Sequence, residues 1–284
     1  METLPIGTVQ VMTVNRTTDH GYVLMSEGKE ALLHHNETTG DISVGDTIKT
    51  FLYMDKKGNI SASMQLPAVT IDSYDWAEVV EVKTNLGVFV NIGTTKEMLV
   101  SKDDLPLYEH VWPAVGDKLF VTLGKDRRGR LLAIPATEGI INHYREWADE
   151  DYLNKYVTGR IYRTNREGSA LWTDEDFRGF IHHSERKQEP RIGEEVTGRV
   201  IAVKEDGTLN ITLLPLKQES ITDDAAAILE YLKEQDGMML FSDKSDPDDI
   251  RSVFDISKSA FKRALGSLMK AEKIEQRDGK TFLK

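Results

Sequence analysis

The sequence contains no cysteine. This absence excludes disulfides, zinc sites built on thiolates and a cysteine nucleophile. The chain also lacks any apolar run near the ~20 residues that a membrane-spanning helix needs. Its N-terminal METLPIGTVQ has neither the basic nor the apolar segment of a secretory signal. We therefore expect a cytoplasmic protein with no membrane partner.

The chain also lacks an excess of positive charge, with 36 basic against 47 acidic side chains. The 284-residue chain has a formal net charge of −11 and a pI near 5.2, which argues against a wholly basic nucleic-acid coat. The acidity is uneven: residues 1–75 carry 10 acidic and 5 basic side chains, whereas residues 152–216 carry 10 of each, and seven of those basic residues are arginine. The second half therefore leaves room for a local basic face.

Catalytic signatures are missing as well. The sequence has no glycine-rich phosphate loop, no nucleophile elbow and no His-Glu-x-x-His. Two His-His pairs, in ALLHHNET at 31–38 and GFIHHSER at 179–186, could suggest a metal. However, neighbouring side chains on a strand point apart, and no cysteine completes a zinc set. We predict a protein that is not an enzyme and needs no metal or other cofactor.

What the chain does contain is an internal repeat, because three stretches share one order of signals. In each, short apolar strands precede Val/Ile-Gly-Asp/Glu, which opens a longer strand, and a glycine turn then leads to the last strand. Gly58, Gly129 and Gly207 occupy the matching turn, and glycine supplies the positive φ of a tight hairpin. Five short strands in about 60–75 residues predict a small closed barrel. The predicted barrels cover residues 1–66, 67–137 and 152–217.

Residues 138–151 separate the second and third repeats and predict a connecting helix. Ile140, Ile141, Tyr144 and Trp147 recur there at helical spacing. An exposed flexible linker rarely carries so many aromatic side chains, so we expect this helix to pack and to make the barrel arrangement semi-rigid.

The pattern changes in residues 218–284, which predict an α+β domain. TDDAAAILEYLKEQ, SDPDDIRSVF and SKSAFKRALGSLMKAEKI have helical patterns, and KIEQRDGKTFL predicts a hairpin that turns at Asp278-Gly279. Asp246 is the expected N-cap of the second helix, with Pro247 at its first position. Helix, helix, helix and hairpin form the order of a winged helix.

The third repeat resembles an S1 RNA-binding domain, an OB fold, through GRIYRTNREGSALW, GFIHHSE, IGEEVTGRVIAV and DGTLNITL in that order. Three such barrels and a winged helix resemble the bacterial conserved virulence factor B family over the whole chain. The resemblance implies a mainly β multidomain fold, with three S1-like OB-fold barrels in tandem followed by an α+β winged helix. It also implies an RNA-binding post-transcriptional regulator without chemistry of its own.

In the family pattern, the first histidine of the repeated phrase and a residue on the preceding strand contact RNA. Carried over, the pairs are His182 with Ala170, His34 with Val23, and Val100 with Phe89.

OB barrels bind single strands by stacking bases on one face while basic groups follow the phosphates. Strand alternation in GFIHHSER places Phe180 and His182 outward and Ile181 inward. No repeat holds the full set of binding residues, and each histidine could instead be merely exposed or satisfied in the core. The candidate RNA contacts in the barrels are Phe180, His182, Arg160, Arg163, Arg166, Arg178, Arg199, Phe89, His20 and His34.

On the winged helix, a helical wheel separates an apolar stripe from a basic one. The stripe of Phe261, Ala264, Leu265 and Leu268 is the expected core side. The candidate RNA contacts on the other side and in the wing are Lys262, Arg263, Lys270, Arg277 and Lys280.

These observations favour single-stranded RNA as the partner, held by the third barrel and continuing onto the winged helix. A transcription factor that binds DNA through the winged helix is less favoured, because residues 221–284 carry 11 basic and 13 acidic side chains and specific DNA readers concentrate positive charge. An adaptor that docks on the ribosome or on a ribonuclease is a further alternative.

Overall fold

The computed structural model describes residues 4–55, 57–215 and 217–284, with the backbone alone for 217–222. The chain divides after Leu213 into two compact units. Strands dominate the first unit, whereas the second combines helices with a small sheet. No helix in these described ranges is both long enough and apolar enough to cross a membrane.

The first barrel contains five strands in the order β1-β2-β3-β5-β4. Their bounds are β1 Val9–Thr18, β2 Gly21–Ser26, β3 Lys29–His34, β4 Thr47–Met54 and β5 Ile60–Ser63. The barrel closes because β3 pairs in parallel with β5 while β4 pairs with β1. Inward positions alternate along the strands and place Met12, Leu24, Leu33 and Leu52 in a fully buried core.

The second repeat forms a five-stranded sheet in the order β10-β9-β6-β7-β8. Its strands are β6 Asp75–Lys83, β7 Gly87–Asn91, β8 Met98–Ser101, β9 Lys118–Lys125 and β10 Leu131–Pro135. The two outer strands, β8 and β10, lie side by side, but between these described strands no parallel ladder completes the ring. The sheet is therefore curved like its neighbours without their hydrogen-bonded closure.

A short helix, α1 Glu138–Tyr144, leads from the second repeat to the third. The prediction of a helix over 138–151 was wrong in its second half, since Arg145 adopts an extended conformation. Beyond it, the N–H of Glu146 donates to the carbonyl of Asp176 at 2.8 Å. Pairing with the third barrel thus competes with helix propagation, and Trp147 lies outside the helix on which its spacing placed it.

The third barrel repeats the closed topology of the first, in the order β11-β12-β13-β15-β14. Its strands are β11 Tyr156–Thr164, β12 Gly168–Thr173, β13 Arg178–His182, β14 Glu195–Val203 and β15 Leu209–Thr212. At the start of β12, Gly168 lies so close to β13 that an added Cβ would fall 2.2 Å from the Ile181 carbonyl oxygen. Gly21 and Gly87 begin β2 and β7 under the same constraint, so the strand-opening glycine of each repeat permits a close hairpin.

The second and third barrels meet through aromatic side chains. The Trp172 ring lies 4.7 Å from Phe120 and 6.0 Å from Trp76, centroid to centroid. Tyr144 of α1 closes the cluster at 6.4 Å from Trp172. Beside it, Arg191 Nε donates to Asp117 at 3.1 Å. The expectation that α1 packs is met at Tyr144, and the barrels it joins share a buried apolar cluster.

The second unit contains α2 Lys217–Glu234, β16 Met238–Met239, α3 Pro247–Phe254, α4 Lys258–Lys270, β17 Ile274–Arg277 and β18 Lys280–Leu283. The three strands form one sheet in the order β16-β18-β17. As predicted, Asp246 caps α3 by accepting the Asp248 N–H at 2.8 Å. The hairpin also turns as predicted, with Arg277 opposite Lys280. The predicted first helix begins earlier than the sequence pattern, at Lys217. This is the winged-helix order, so the predicted fold class is confirmed.

Candidate nucleic-acid interface

The outward side of β13 carries the centre of the site. Ile181 is fully buried in the barrel, whereas Phe180 is half-buried and His182 is exposed. Phe180 and His182 therefore share one side of the strand, as the alternation predicts. Phe180 pairs across to Ala170 on β12 and to Asn210 on β15, which places it in the middle of the outward face.

Lys204 supplies a positive charge at this face. It opens the turn between β14 and β15, and its ammonium group lies 6.0 Å from the Phe180 ring centroid. Asp55 in the first barrel and Asp126 in the second occupy the same turn position as Lys204. In all three, the backbone N–H donates to the carbonyl of the residue four positions later. The third barrel alone of the three therefore has a cation at this position.

Phe180, His182 and Lys204 border a cavity of about 350 Å³. Ile201 adds an apolar wall, and the side chain of Asn210 contributes to the floor. The Oδ1 atom of Asn210 is buried and finds no hydrogen-bond partner in the described part of the chain. The cavity thus combines an aromatic wall, an apolar wall and a cation, features with which single-stranded RNA bases are commonly bound.

The imidazole of His182 is held in one orientation. Its Nδ1 accepts the backbone N–H of Ser184 at 3.3 Å and lies 2.8 Å from the Ser184 hydroxyl. Because Nδ1 acts as an acceptor in this cap, the neutral ring carries its proton on Nε2. His182 therefore presents a hydrogen-bond donor to the surface beside Phe180. His183 begins a short 3₁₀ turn, and its ring centroid lies 4.2 Å from that of His182, with the two rings tilted to each other.

The arginine end of the same face is engaged by a carboxylate. Glu138 of α1 accepts from Arg178 Nε at 2.6 Å and from the Tyr162 hydroxyl at 3.0 Å, and Arg163 lies 3.5 Å away. The side chain of Arg178 is 21% exposed. Burial alone would raise the pKa of Glu138, but the hydrogen bonds and charges of its neighbours hold that pKa below the ordinary value. The Glu138 carboxylate therefore already forms ion pairs with Arg178 and Arg163.

The other predicted arginines of the third barrel do not gather in one place. Arg160 forms ion pairs with Glu195 and, at 3.5 Å, with Asp174. Arg166 is exposed on the hairpin between β11 and β12. Arg199 lies on β14, which pairs with neither β12 nor β13, and donates to Asn154 at 3.3 Å. Arg166 is thus solvent-exposed at the rim, whereas Arg160 and Arg199 bind protein groups.

In the second repeat, the pairing corrects the alignment of the repeated phrase. Ser101 lies opposite Gly87, just as His182 lies opposite Gly168 and His34 opposite Gly21. Assigning Val100 to the histidine position was therefore wrong by one residue. A slip of one residue exchanges the two faces of a strand, and Val100 accordingly lies fully buried in the core.

Phe89 keeps its predicted outward position but faces the first barrel. It is half-buried, with the Lys83 ammonium 5.0 Å from its ring. Together with Tyr53 and Met54 of the first barrel, it lines a cavity of about 480 Å³. The outward face of the second repeat therefore lies against the first barrel at this point.

The cavity beside the histidine of the first barrel contains two carboxylates and one ammonium group. His34 is half-buried and shares this cavity with Glu37, Asp55 and Lys96, while His20 is exposed at the start of the β2 hairpin. Glu37 is only 3% exposed and accepts from the Tyr53 hydroxyl at 3.3 Å. Burial and this carboxylate raise the pKa of Tyr53 to about 12. Negative charge beside His34 makes this face a poorer place for phosphates than the third barrel.

In the winged helix, the predicted stripe of α4 is buried, and the basic residues lie on its open side. Lys262, Arg263 and Lys270 are exposed. In the wing, Lys280 is half-buried and Arg277 is exposed, with its guanidinium 4.4 Å from the Phe282 ring. These five side chains can meet phosphates without displacing the core.

Sequence reasoning missed Lys204 and Asn210. The turn glycines align the three repeats, and comparing the residue three positions before each glycine exposes the exchange of Asp55 and Asp126 for Lys204. That signal was present in the sequence. The contribution of Asn210 depends on the pairing of β13 with β15, which no local pattern specifies. In the described ranges, no group of three or more His, Asp or Glu side chains has an arrangement suited to a metal ion.

Family models match most of the chain. The S1 domain model matches residues 6–65, and the model for the CvfB first S1-like domain matches 74–134. The second domain of virulence regulatory factor CvfB matches 141–215, and the CvfB-like winged helix domain matches 226–283.

Curated relatives are similar along nearly the whole length. The chain is 47% identical over 278 residues to protein YitL of Bacillus subtilis, covering 98% of this chain and 93% of that protein. It is 37% identical over 282 residues to Conserved virulence factor B of Staphylococcus epidermidis, covering 98% and 94%. A solved multidomain protein with nucleic acid binding domains from Streptococcus pneumoniae shares 37% identity at a TM-score of 0.67, covering 98% of both chains.

Proposed function

The chain belongs to the conserved virulence factor B family, and we propose that it is a post-transcriptional regulator that binds single-stranded RNA. The third barrel is the chief binding surface, and the winged helix adds contacts of its own. The S1 domains and the winged helix support nucleic-acid binding in general. We further propose that regulation follows from binding alone, without catalysis.

The observation that carries the proposal is the cluster of Phe180, His182 and Lys204. An outward aromatic ring offers a stacking surface to any base, and a cation beside it can approach the adjoining phosphate. The first barrel has Leu32, His34 and Asp55 at the same positions, so neither the outward phenyl ring of β13 nor the cation of the turn has an equivalent at its own position there. Binding strength should therefore differ between two barrels of the same topology.

The test uses this internal comparison. Fluorescence anisotropy with a labelled single-stranded RNA is measured for wild type, for Phe180→Ala/His182→Ala and for the matched control Leu32→Ala/His34→Ala. Losing one base stack costs about 1–3 kcal/mol, or roughly 5- to 150-fold in affinity. We expect that loss in the third-barrel variant and near-wild-type binding in the control. Equal binding by all three folded proteins would refute the proposal.

DNA binding by the winged helix is a second candidate, favoured by the exposed Lys262, Arg263 and Lys270 on α4. Winged helices can place such a helix in the major groove. A gel shift of the full chain with duplex DNA tests it, using Lys262→Glu/Arg263→Glu as the variant. Duplex binding that exceeds RNA binding and disappears in this variant would favour the DNA-binding alternative.

An adaptor that docks on a ribosome or a ribonuclease would behave differently. Such an adaptor should still bind its protein partner after nuclease removes all accessible RNA. Co-sedimentation before and after nuclease treatment separates the cases, since RNA-mediated association disappears with the RNA.

A further inference from the structure

Trp147 is an exposed tryptophan beside the third barrel. Its side chain is 65% exposed, whereas Trp112 and Trp172 are each 6% exposed. It lies in the segment between α1 and β11, outside the S1-like barrel itself. The indole therefore presents a large aromatic surface to solvent rather than to the core.

The backbone around Trp147 is fixed against the turn that follows β14. Ala148 donates its N–H to the Gly207 carbonyl at 3.4 Å. Gly207 has a φ of +71°, and a Cβ there would lie 2.9 Å from both Cα and Cβ of Trp147. Together with the bond from Glu146 to Asp176, these contacts fix the backbone from which the indole projects.

A cation accompanies the indole. The guanidinium carbon of Arg145 lies 5.6 Å from the Trp147 ring centroid, and one of its nitrogens donates to the Thr208 hydroxyl at 3.1 Å. Asp206 in the same turn has a pKa below the ordinary value. Burial opposes this shift, but hydrogen bonds from Thr208 and the charges of Arg145 and Lys204 outweigh it. The turn is therefore flanked by positive charge on both sides.

The same turn connects Trp147 to the Phe180 site. Lys204 opens the turn and faces the Phe180 ring, while Gly207 touches Trp147. A bond of 2.9 Å from the Gly207 N–H to the Lys204 carbonyl makes the turn tight. Two aromatic residues, each with a cation nearby, thus lie next to residues of one turn.

We propose that Trp147 is a second base-stacking platform, on which the single strand continues after it leaves the Phe180 site. The inference rests on the proposed RNA-binding function and extends it to a residue outside the barrels. One OB fold covers about 4–16 nucleotides, and the two platforms approach the same turn, at Lys204 and at Gly207. Arg145 is placed to meet the phosphate next to the base stacked on Trp147. The surface accepts any base, because every base offers a π face.

Intrinsic fluorescence and affinity test the proposal in the full-length protein. Unlabelled oligouridine is titrated into wild type and Trp147→Phe, and labelled RNA measures the affinity of Trp147→Ala. Stacking should quench wild-type emission, and Trp147→Phe should lose that quenching while keeping its affinity. Trp147→Ala should bind at least about five-fold more weakly, the lower limit for losing one stack.

Tyr108→Ala is the matched control, because Tyr108 is 66% exposed in the loop between β8 and β9, and it should bind like wild type. Wild-type affinity in Trp147→Ala, with Phe180→Ala/His182→Ala still impaired, would overturn the Trp147 inference alone. Quenching retained in Trp147→Phe would overturn it too. Loss of ribosome co-sedimentation with unchanged RNA affinity would assign Trp147 to protein docking instead. Failure of wild type to bind RNA would overturn the proposed function and this inference together.

Discussion

Glu138→Gln should change RNA binding through the arginines that Glu138 holds. The substitution keeps the shape of the side chain and removes its charge. In the structure that charge accepts from Arg178 Nε at 2.6 Å and lies 3.5 Å from Arg163. Arg178 shares the outward side of β13 with Phe180. Weakening the carboxylate therefore frees a guanidinium two residues from the stacking ring.

The magnitude follows from counterion release. For single strands, each phosphate contact contributes about 0.7 to the slope of log K against log salt concentration. We expect Glu138→Gln to steepen that slope by about 0.7 if Arg178 alone is released, and by about 1.4 if Arg163 follows. Exchanging a charged acceptor for a neutral one should also lower the free energy of unfolding by roughly 1 kcal/mol.

The assay is anisotropy over a series of salt concentrations for wild type, Glu138→Gln, Arg178→Ala and the double variant. Arg178→Ala alone should leave the slope unchanged. Adding it to Glu138→Gln should return the slope to the wild-type value if Arg178 alone is released, and should leave about 0.7 of the steepening if Arg163 is released as well. A salt slope in Glu138→Gln equal to that of wild type would show that the released arginines do not contact phosphate. A slope shallower by about 0.7 in Arg178→Ala alone would also contradict the prediction, because it would mean that Arg178 contacts phosphate despite its carboxylate partner.

Three further predictions use other parts of the structure. Lys204→Asp gives the turn between β14 and β15 the residue type that the first two barrels have at this position. The third barrel should still fold, while RNA affinity falls and the slope of log K against log salt concentration becomes shallower by about 0.7. Unchanged RNA binding in anisotropy would contradict this prediction. Gly168→Ala should lower the thermal midpoint, because its Cβ would fall 2.2 Å from a carbonyl oxygen. Gly266→Ala is the matched control in α4, where a Cβ meets open space, and it should stabilise the protein by up to ~1 kcal/mol. The reverse order of thermal midpoints would rule out the steric explanation. The pKa of Glu138 is lower in the folded protein than in the unfolded chain. The Glu138 carboxylate therefore stabilises the fold above its unfolded pKa of about 4.3, and this stabilisation is lost as pH falls through the folded pKa. Glu138→Gln should remove this pH-dependent part of the unfolding free energy in denaturation curves measured against pH, and an acid dependence identical to that of wild type would contradict it.

Much of the architecture was accessible from sequence because local signals repeat. Glycine at each turn, Asp246 before Pro247 and the alternation of Phe180, Ile181 and His182 are all set by backbone geometry or strand periodicity. Each of them is found where it was predicted. Such signals depend only on neighbouring residues, and at these positions no tertiary contact opposes them.

The errors arose where long-range contacts decide the outcome. MLVS in β8 is apolar enough that its register could not be read from the sequence, and only the pairing of Gly87 with Ser101 fixes it. The helix through Trp147 ends early because Glu146 pairs with the third barrel. Arg178 has the residue type of a phosphate contact, yet Glu138 on α1 is 40 positions away in sequence and became its partner only in the fold. Propensity and spacing carry no information about such partners.

Ultraviolet crosslinking of single-stranded RNA to the full-length protein, followed by mass spectrometry of the crosslinked peptides, tests most directly whether the third barrel is the chief RNA-binding surface. Aromatic side chains that stack on bases are the expected sites of attachment. We expect crosslinks concentrated at Phe180–His182 and at Trp147, with few at the first-barrel phrase around His34. Crosslinks confined to the first two barrels or to the winged helix would contradict it.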